Sequence, residues 1–180
     1  RLRRPDRAAA GRDSLMSTPP LKLSAQDGQD LAVISACLQD ALTRMGDMIY
    51  LPREHRFAAI FSRFMWEAAP ARKRGHGLFR RVSCGVHFNG VLGARIQGLK
   101  QDSLDEVLEL LALEWQEGED AEAAITLVFA GGGLIRLEAE CIECQLTDMG
   151  APWTTRRRPA HAVTEEEAGT GADVDPGQGV

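Results

Sequence analysis

The stretch that decides the fold runs Arg80-Arg81-Val82-Ser83-Cys84-Gly85-Val86-His87-Phe88-Asn89-Gly90-Val91-Leu92-Gly93-Ala94-Arg95-Ile96-Gln97-Gly98. Val82, Cys84 and Val86 alternate with Arg81, Ser83 and His87, and Leu92, Ala94 and Ile96 form a second stripe of period two. Strict alternation is the mark of strands with one face against a core. Asn89-Gly90 between them predicts a hairpin. A two-residue turn would set Arg95 and Gln97 beside the apolar stripe, so the expected loop is Phe88-Asn89-Gly90 with a bulge. That register pairs Val86 with Leu92, Cys84 with Ala94 and Val82 with Ile96.

Working outward, more alternating runs follow. Met45 to Leu51 and Phe57 to Trp66 flank the turn-like Pro52-Arg53-Glu54-His55. Leu108 to Gln116, Ala123 to Ala130 and Leu134 to Glu140 are separated by Gly-bearing turns, and Leu21 to Ala25 reads as a short edge strand. Asp27 is a candidate N-cap for a helix over residues 28 to 42, with Leu31, Ile34, Leu38 and Ala41 on one face and Val33 and Cys37 widening it. Ile142, Leu146 and Met149 fall at helical spacing before Gly150 and Pro152, which predicts a short C-terminal helix. The expected class is therefore α+β: an amphipathic N-terminal helix, about seven mostly antiparallel strands in a curled sheet or partial barrel, and a closing helix. That count matches a pleckstrin-homology-like barrel, an analogy of fold alone.

The chain has 180 residues, of which 44% are hydrophobic, enough to build a core and to exclude a wholly disordered protein. Residues 1–18 lack any hydrophobic period and read as a disordered leader, with Met16 as a possible start. Residues 19–153 form the single expected domain, and residues 154–180 a disordered tail. No apolar run is long enough to span a bilayer, the Arg-rich start lacks the apolar stretch of an export signal, and four cysteines are too few for a disulfide scaffold. The expected location is the cytoplasm, away from membranes.

The net charge of −5 is unevenly spread. Between Ala68 and Gln101 there is no acid, while Arg72, Lys73, Arg74, Arg80, Arg81, Arg95 and Lys100 are all cationic. From Asp102 to Asp148 thirteen acids face only Arg136. Such polarity predicts two surfaces of opposite sign.

Motifs for chemistry are weak. Cys141-Ile142-Glu143-Cys144 is a CxxC, but Glu138, Glu140 and Glu143 crowd it and disfavour a thiolate. Cys84 and His87 could join it in a zinc site, yet residues three apart on a strand face opposite ways. His55, His76, His87 and His161 stand in no hydrolase context. Gly131-Gly132-Gly133 precedes a strand and reads as a hairpin turn, and Gly75-His76-Gly77 lacks the third glycine of a dinucleotide fingerprint.

Several blocks together, Leu21-Lys22-Leu23, Leu38-Gln39-Asp40-Ala41, Tyr50-Leu51-Pro52, Arg63-Phe64-Met65-Trp66-Glu67, and Leu127 to Gly133 with Ile135-Arg136-Leu137 and Glu140-Cys141-Ile142-Glu143, resemble a family of uncharacterised alphaproteobacterial proteins, a domain of unknown function. The resemblance spans Leu21 to Pro159. It implies a small cytoplasmic bacterial protein and brings no activity, cofactor or catalytic residue.

The expected function is a non-enzymatic binding or adaptor domain without a cofactor. Arg72, Lys73, Arg74, Arg80, Arg81 and Arg95 would engage an acidic protein or another anion. Nucleic acid ranks lower because only Phe79 and Phe88 offer stacking nearby. The alternatives are a metal or thiol enzyme built on Cys84, His87, Cys141 and Cys144, and a homo-oligomer in which basic and acidic halves meet.

Overall fold

A computed structural model describes residues 19–68, 79–118 and 122–155. The expected leader, nearly all of the expected tail, and Arg72, Lys73, Arg74, His76 and His161 lie outside the described residues.

The chain begins with strand β1 (Lys22–Ala25) and helix α1 (Gly28–Leu38), which Asp27 caps by accepting the Asp30 N–H at 2.9 Å. The helix stops four residues short of the expected end. Asp40 takes φ 59°, a left-handed conformation that Asp tolerates better than most residues, and the chain turns there into β2 (Ala41–Arg44). A one-turn 3₁₀ helix, Met45–Asp47, separates β2 from β3 (Met48–Leu51). Then come β4 (Arg56–Phe64), β5 (Phe79–Asn89), β6 (Val91–Gln97), β7 (Val107–Glu117), β8 (Ala123–Phe129), β9 (Leu134–Ala139) and β10 (Cys144–Thr155).

All pairings are antiparallel, in the order β1-β10-β5-β4-β2-β7-β8-β9-β6, with β3 also on β4. One edge of β4 is shared: β3 covers Arg56 to Ala59 and β2 meets Ser62. Because β2 also pairs with β7, it couples the two halves of the sheet, while β3 peels away.

The α+β expectation is overturned. The described residues form a mostly antiparallel sheet of ten strands with a single α-helix, and the sheet is open. Where a closing helix was expected, β10 runs for twelve residues, so the pleckstrin-homology analogy loses its capping helix. Ile142, Cys144, Leu146 and Asp148 point inward at period two, and a charged group at the last position disguises the alternation. Arg80–Gly98 is corrected too. Gly90 has the left-handed φ of 67°, but β5 and β6 do not pair. Both edges of β5 are taken by β4 and β10, so the chain turns a corner at Asn89-Gly90 and β6 joins β9 at the far end of the sheet. Two expected hairpins stand: Leu51 meets Arg56 across the β3–β4 turn, and Gly131 and Gly132, at φ 82° and 85°, turn β8 into β9.

The core lies between α1 and one face of the sheet. Leu31, Ile34 and Leu38 meet Ala59 and Phe61 of β4, Leu110 and Leu113 of β7, Ile125 and Leu127 of β8, and Ile135 and Leu137 of β9 in one buried cluster. Ser35 pins the helix to β7, where its Oγ accepts the Leu113 N–H at 2.9 Å. Burying one such aliphatic side chain stabilises by about 1.5–3 kcal/mol. Val33, placed on the helix stripe by sequence, is instead 53% exposed.

Candidate binding site

The inward positions of β4 are Phe57, Ala59, Phe61 and Arg63. A guanidinium there needs acceptors on every side, because an unpaired buried charge costs several kcal/mol. Arg63 Nε donates to Asp148 Oδ1 at 2.7 Å, and Nη2 donates to Asp148 Oδ2 at 2.8 Å and to Glu67 Oε1 at 2.7 Å. Nη1 donates to Glu67 Oε2 at 3.2 Å and to the Phe64 carbonyl at 3.3 Å. Asp148 Oδ2 also accepts the Leu21 N–H at 2.9 Å, fastening the chain just before β1. Burial works against the charge on Arg63, but the hydrogen bonds to Asp148 and Glu67 prevail and hold its pKa above the ordinary value. Burial alone would raise Glu67; the bonds from Arg63 outweigh it and hold the carboxyl below its usual range. With every donor engaged, the triad ties β1, β4 and β10 together and has no group left for a substrate.

The thiols and imidazoles do not converge. Cys84 is buried, whereas His87, three residues on, lies on the outer face of β5. Cys144 is buried opposite Phe88, and Cys141 lies partly exposed in the preceding turn. Burial pushes the Cys84 thiol up to about 12, moves Cys144 higher still, and also raises Cys37. Among the described residues no three His, Cys, Asp or Glu side chains are placed to hold a metal ion. Cys84, His87, Cys141 and Cys144 are therefore not brought into one site.

The arginines are divided as well. Arg81 is absorbed by the fold: Nη1 donates to the Ser62 carbonyl at 2.8 Å, and the guanidinium lies 5.6 Å from the centre of the Phe64 ring. Arg80 is half-buried beside it on β5, opposite Thr154. From Arg81 to Asn89 the strand rises by roughly 26 Å, so Arg95, beyond that end, belongs to a different surface.

Arg95 has a neighbour that charge counting had isolated as the lone cation of the acidic run. On β6 it stands directly opposite Arg136 of β9, both exposed on the outer face, and its side chain is 75% exposed. Like charges in cross-strand register disfavour each other. Glu138 offsets Arg95, at 3.2 Å from its Nη1. Among the described residues no ion pair engages Arg136. Polarity by strand is thus incomplete: β7 carries Glu109, Glu114 and Glu117, but β6 and β9 bring Arg95 and Arg136 together with Glu138.

A groove of about 660 Å³ lies along the outer side of α1, lined by Ala32, Val33, Ala36, Cys37, Gln39, Trp66 and Glu67. Its one carboxylate is already committed to Arg63. Among the described residues no helix is long and apolar enough to cross a membrane.

Compared with known proteins, residues 21–161 match a family described as "Protein of unknown function (DUF2948)". No curated protein and no solved structure matches the chain.

Proposed function

We propose, for a chain that belongs to the DUF2948 family, a function as a non-enzymatic binding domain that receives an acidic protein partner on exposed arginines. The observation that carries this reading is the register of Arg95 against Arg136: two exposed cations side by side at the edge of the sheet, of which Arg95 alone is ion-paired among the described residues. Groups arranged this way gain when an incoming carboxylate relieves their repulsion, and arginine's planar fork suits that acceptor. Arg72, Lys73, Arg74 and Arg80 add positive charge elsewhere along the chain and would strengthen long-range attraction.

Poly-L-glutamate is a suitable probe for the complete chain. Its affinity is expected to fall at least tenfold when Arg95 and Arg136 are both replaced by Glu, and again when salt shortens the Debye length below about 10 Å. An Arg72→Ala, Lys73→Ala, Arg74→Ala variant measures what the flanking run adds. An absence of binding, or an affinity that neither salt nor Arg95→Glu with Arg136→Glu changes, would rule the reading out.

A further inference from the structure

Strands β3 and β6 each keep an unpaired edge among the described residues, and both border the same opening. Among the described residues β3 pairs only with β4, and β6 only with β9. The two come together at one end, where the Val91 N–H donates to the His55 carbonyl at 2.8 Å and the Tyr50 hydroxyl to the Val91 carbonyl at 3.3 Å. Beyond that point they bound a cleft of about 260 Å³. Met48 and Ile49 line it from β3, Ala94 and Ile96 from β6, and Phe57 and Ile135 from the sheet between. The volume suits two or three apolar side chains and is below that of pockets that hold a cofactor. Two of the lining groups are exposed apolar side chains, Ile49 at 53% and Ile96 at 36%.

Strand β6 therefore displays two chemistries at period two. Ala94 and Ile96 face the cleft, and Arg95 faces outward beside Arg136. A chain pairing with this edge places its own alternate residues in the same two environments. Resting on the acidic-partner reading above, we propose that the partner binds as an extended strand along the free edge of β6. Its inward residues are apolar and fill the cleft, and its outward residues are carboxylates beside Arg95, with Arg136 one strand further on. Backbone hydrogen bonds to the edge supply affinity, and the alternation supplies selectivity.

The probe is a labelled octapeptide of alternating Glu and Val, about 26 Å when extended, compared with a block peptide of the same composition and with poly-L-glutamate. Fluorescence anisotropy is expected to show the alternating peptide binding at least tenfold tighter than the block peptide. Hydrogen exchange should slow at Leu92 to Gln97 when it binds. Ile96→Ser is expected to weaken the alternating peptide tenfold while leaving poly-L-glutamate unaffected, and Arg95→Glu to weaken both. Equal binding of the two octapeptides, or unchanged exchange along β6, overturns the strand mode even where poly-L-glutamate still binds. Loss of poly-L-glutamate binding too would mean that the acidic-partner reading has failed with it. Protection of β6 without peptide, together with a concentration-dependent dimer in sedimentation, would assign the edge to a second copy of the chain and likewise overturn the proposal.

Discussion

Replacing Asp148 by Asn tests how the interior is held together. The carboxamide keeps the volume and an oxygen for the Leu21 N–H, but it removes the charge that Arg63 meets at 2.7 and 2.8 Å. Arg63 is fully buried, so water cannot replace the lost partner, and only Glu67 and the Phe64 carbonyl remain to it. Truncating one partner of a buried pair costs about 3–5 kcal/mol, a large share of the ~5–15 kcal/mol that stabilises a typical domain. With a urea slope of about 2 kcal/mol/M, the unfolding midpoint should fall by roughly 2 M. Joint replacement, Arg63→Met with Asp148→Leu, should recover most of that loss, because two apolar groups need no acceptors. Equilibrium urea unfolding followed by circular dichroism reads both variants. A loss below about 1 kcal/mol for Asp148→Asn, the range of an exposed ion pair, would refute the argument.

Two further outcomes follow from the same chemistry. Glu67 has its pKa lowered in the folded chain, so the stability it contributes is present above the ordinary carboxylate value and is lost as pH falls through the lower folded value. The stability gap between the native protein and Glu67→Gln should thus be constant above about pH 5 and shrink below pH 4, read by urea unfolding at each pH. Because burial holds Cys84 and Cys144 as protonated thiols, a thiol-reactive disulfide at pH 8 should label Cys141 first and leave those two unmodified until urea is added; mass spectrometry of native and unfolded samples counts the adducts.

Much of the strand content is legible from alternation alone. β4, β7, β8 and β9 fall within one or two residues of their expected places and β3 starts three residues late, because one face of each is apolar and the other polar. What the pattern does not convey is which strands are neighbours. Asn89-Gly90 has the composition of a hairpin turn and the backbone of one at Gly90, yet pairing is decided by β4 and β10 occupying both edges of β5, and those partners are distant in sequence. β10 is misread as a helix because its inward row includes Asp148. Asp148 makes sense on the core side only once Arg63 of β4 is known to sit across from it. A local signal for that pair does exist: Arg63 interrupts an apolar run, with Glu67 four residues on. Of the arginines expected to bind, Arg95 stands exposed in register with Arg136, while Arg81 donates to the Ser62 carbonyl inside the fold. The opposition of Arg95 and Arg136 could not be read beforehand, since it follows from β6 leaving β5 for β9.

The pairing of Lys22 with Thr147 and of Ala25 with Cys144 has a consequence for how the molecule is made. A ribosome releases β1 long before β10 exists, so the first strand must wait through more than a hundred residues of synthesis for the strand it pairs with. During that interval the Lys22–Ala25 edge is bare, and closing so wide a loop is slow. Assembly is therefore expected to start in the middle of the chain, with the β7-β8-β9 meander, and to finish by joining the two ends. A nascent chain halted before Cys144 would carry an orphaned first strand and expose it to chaperones and proteases.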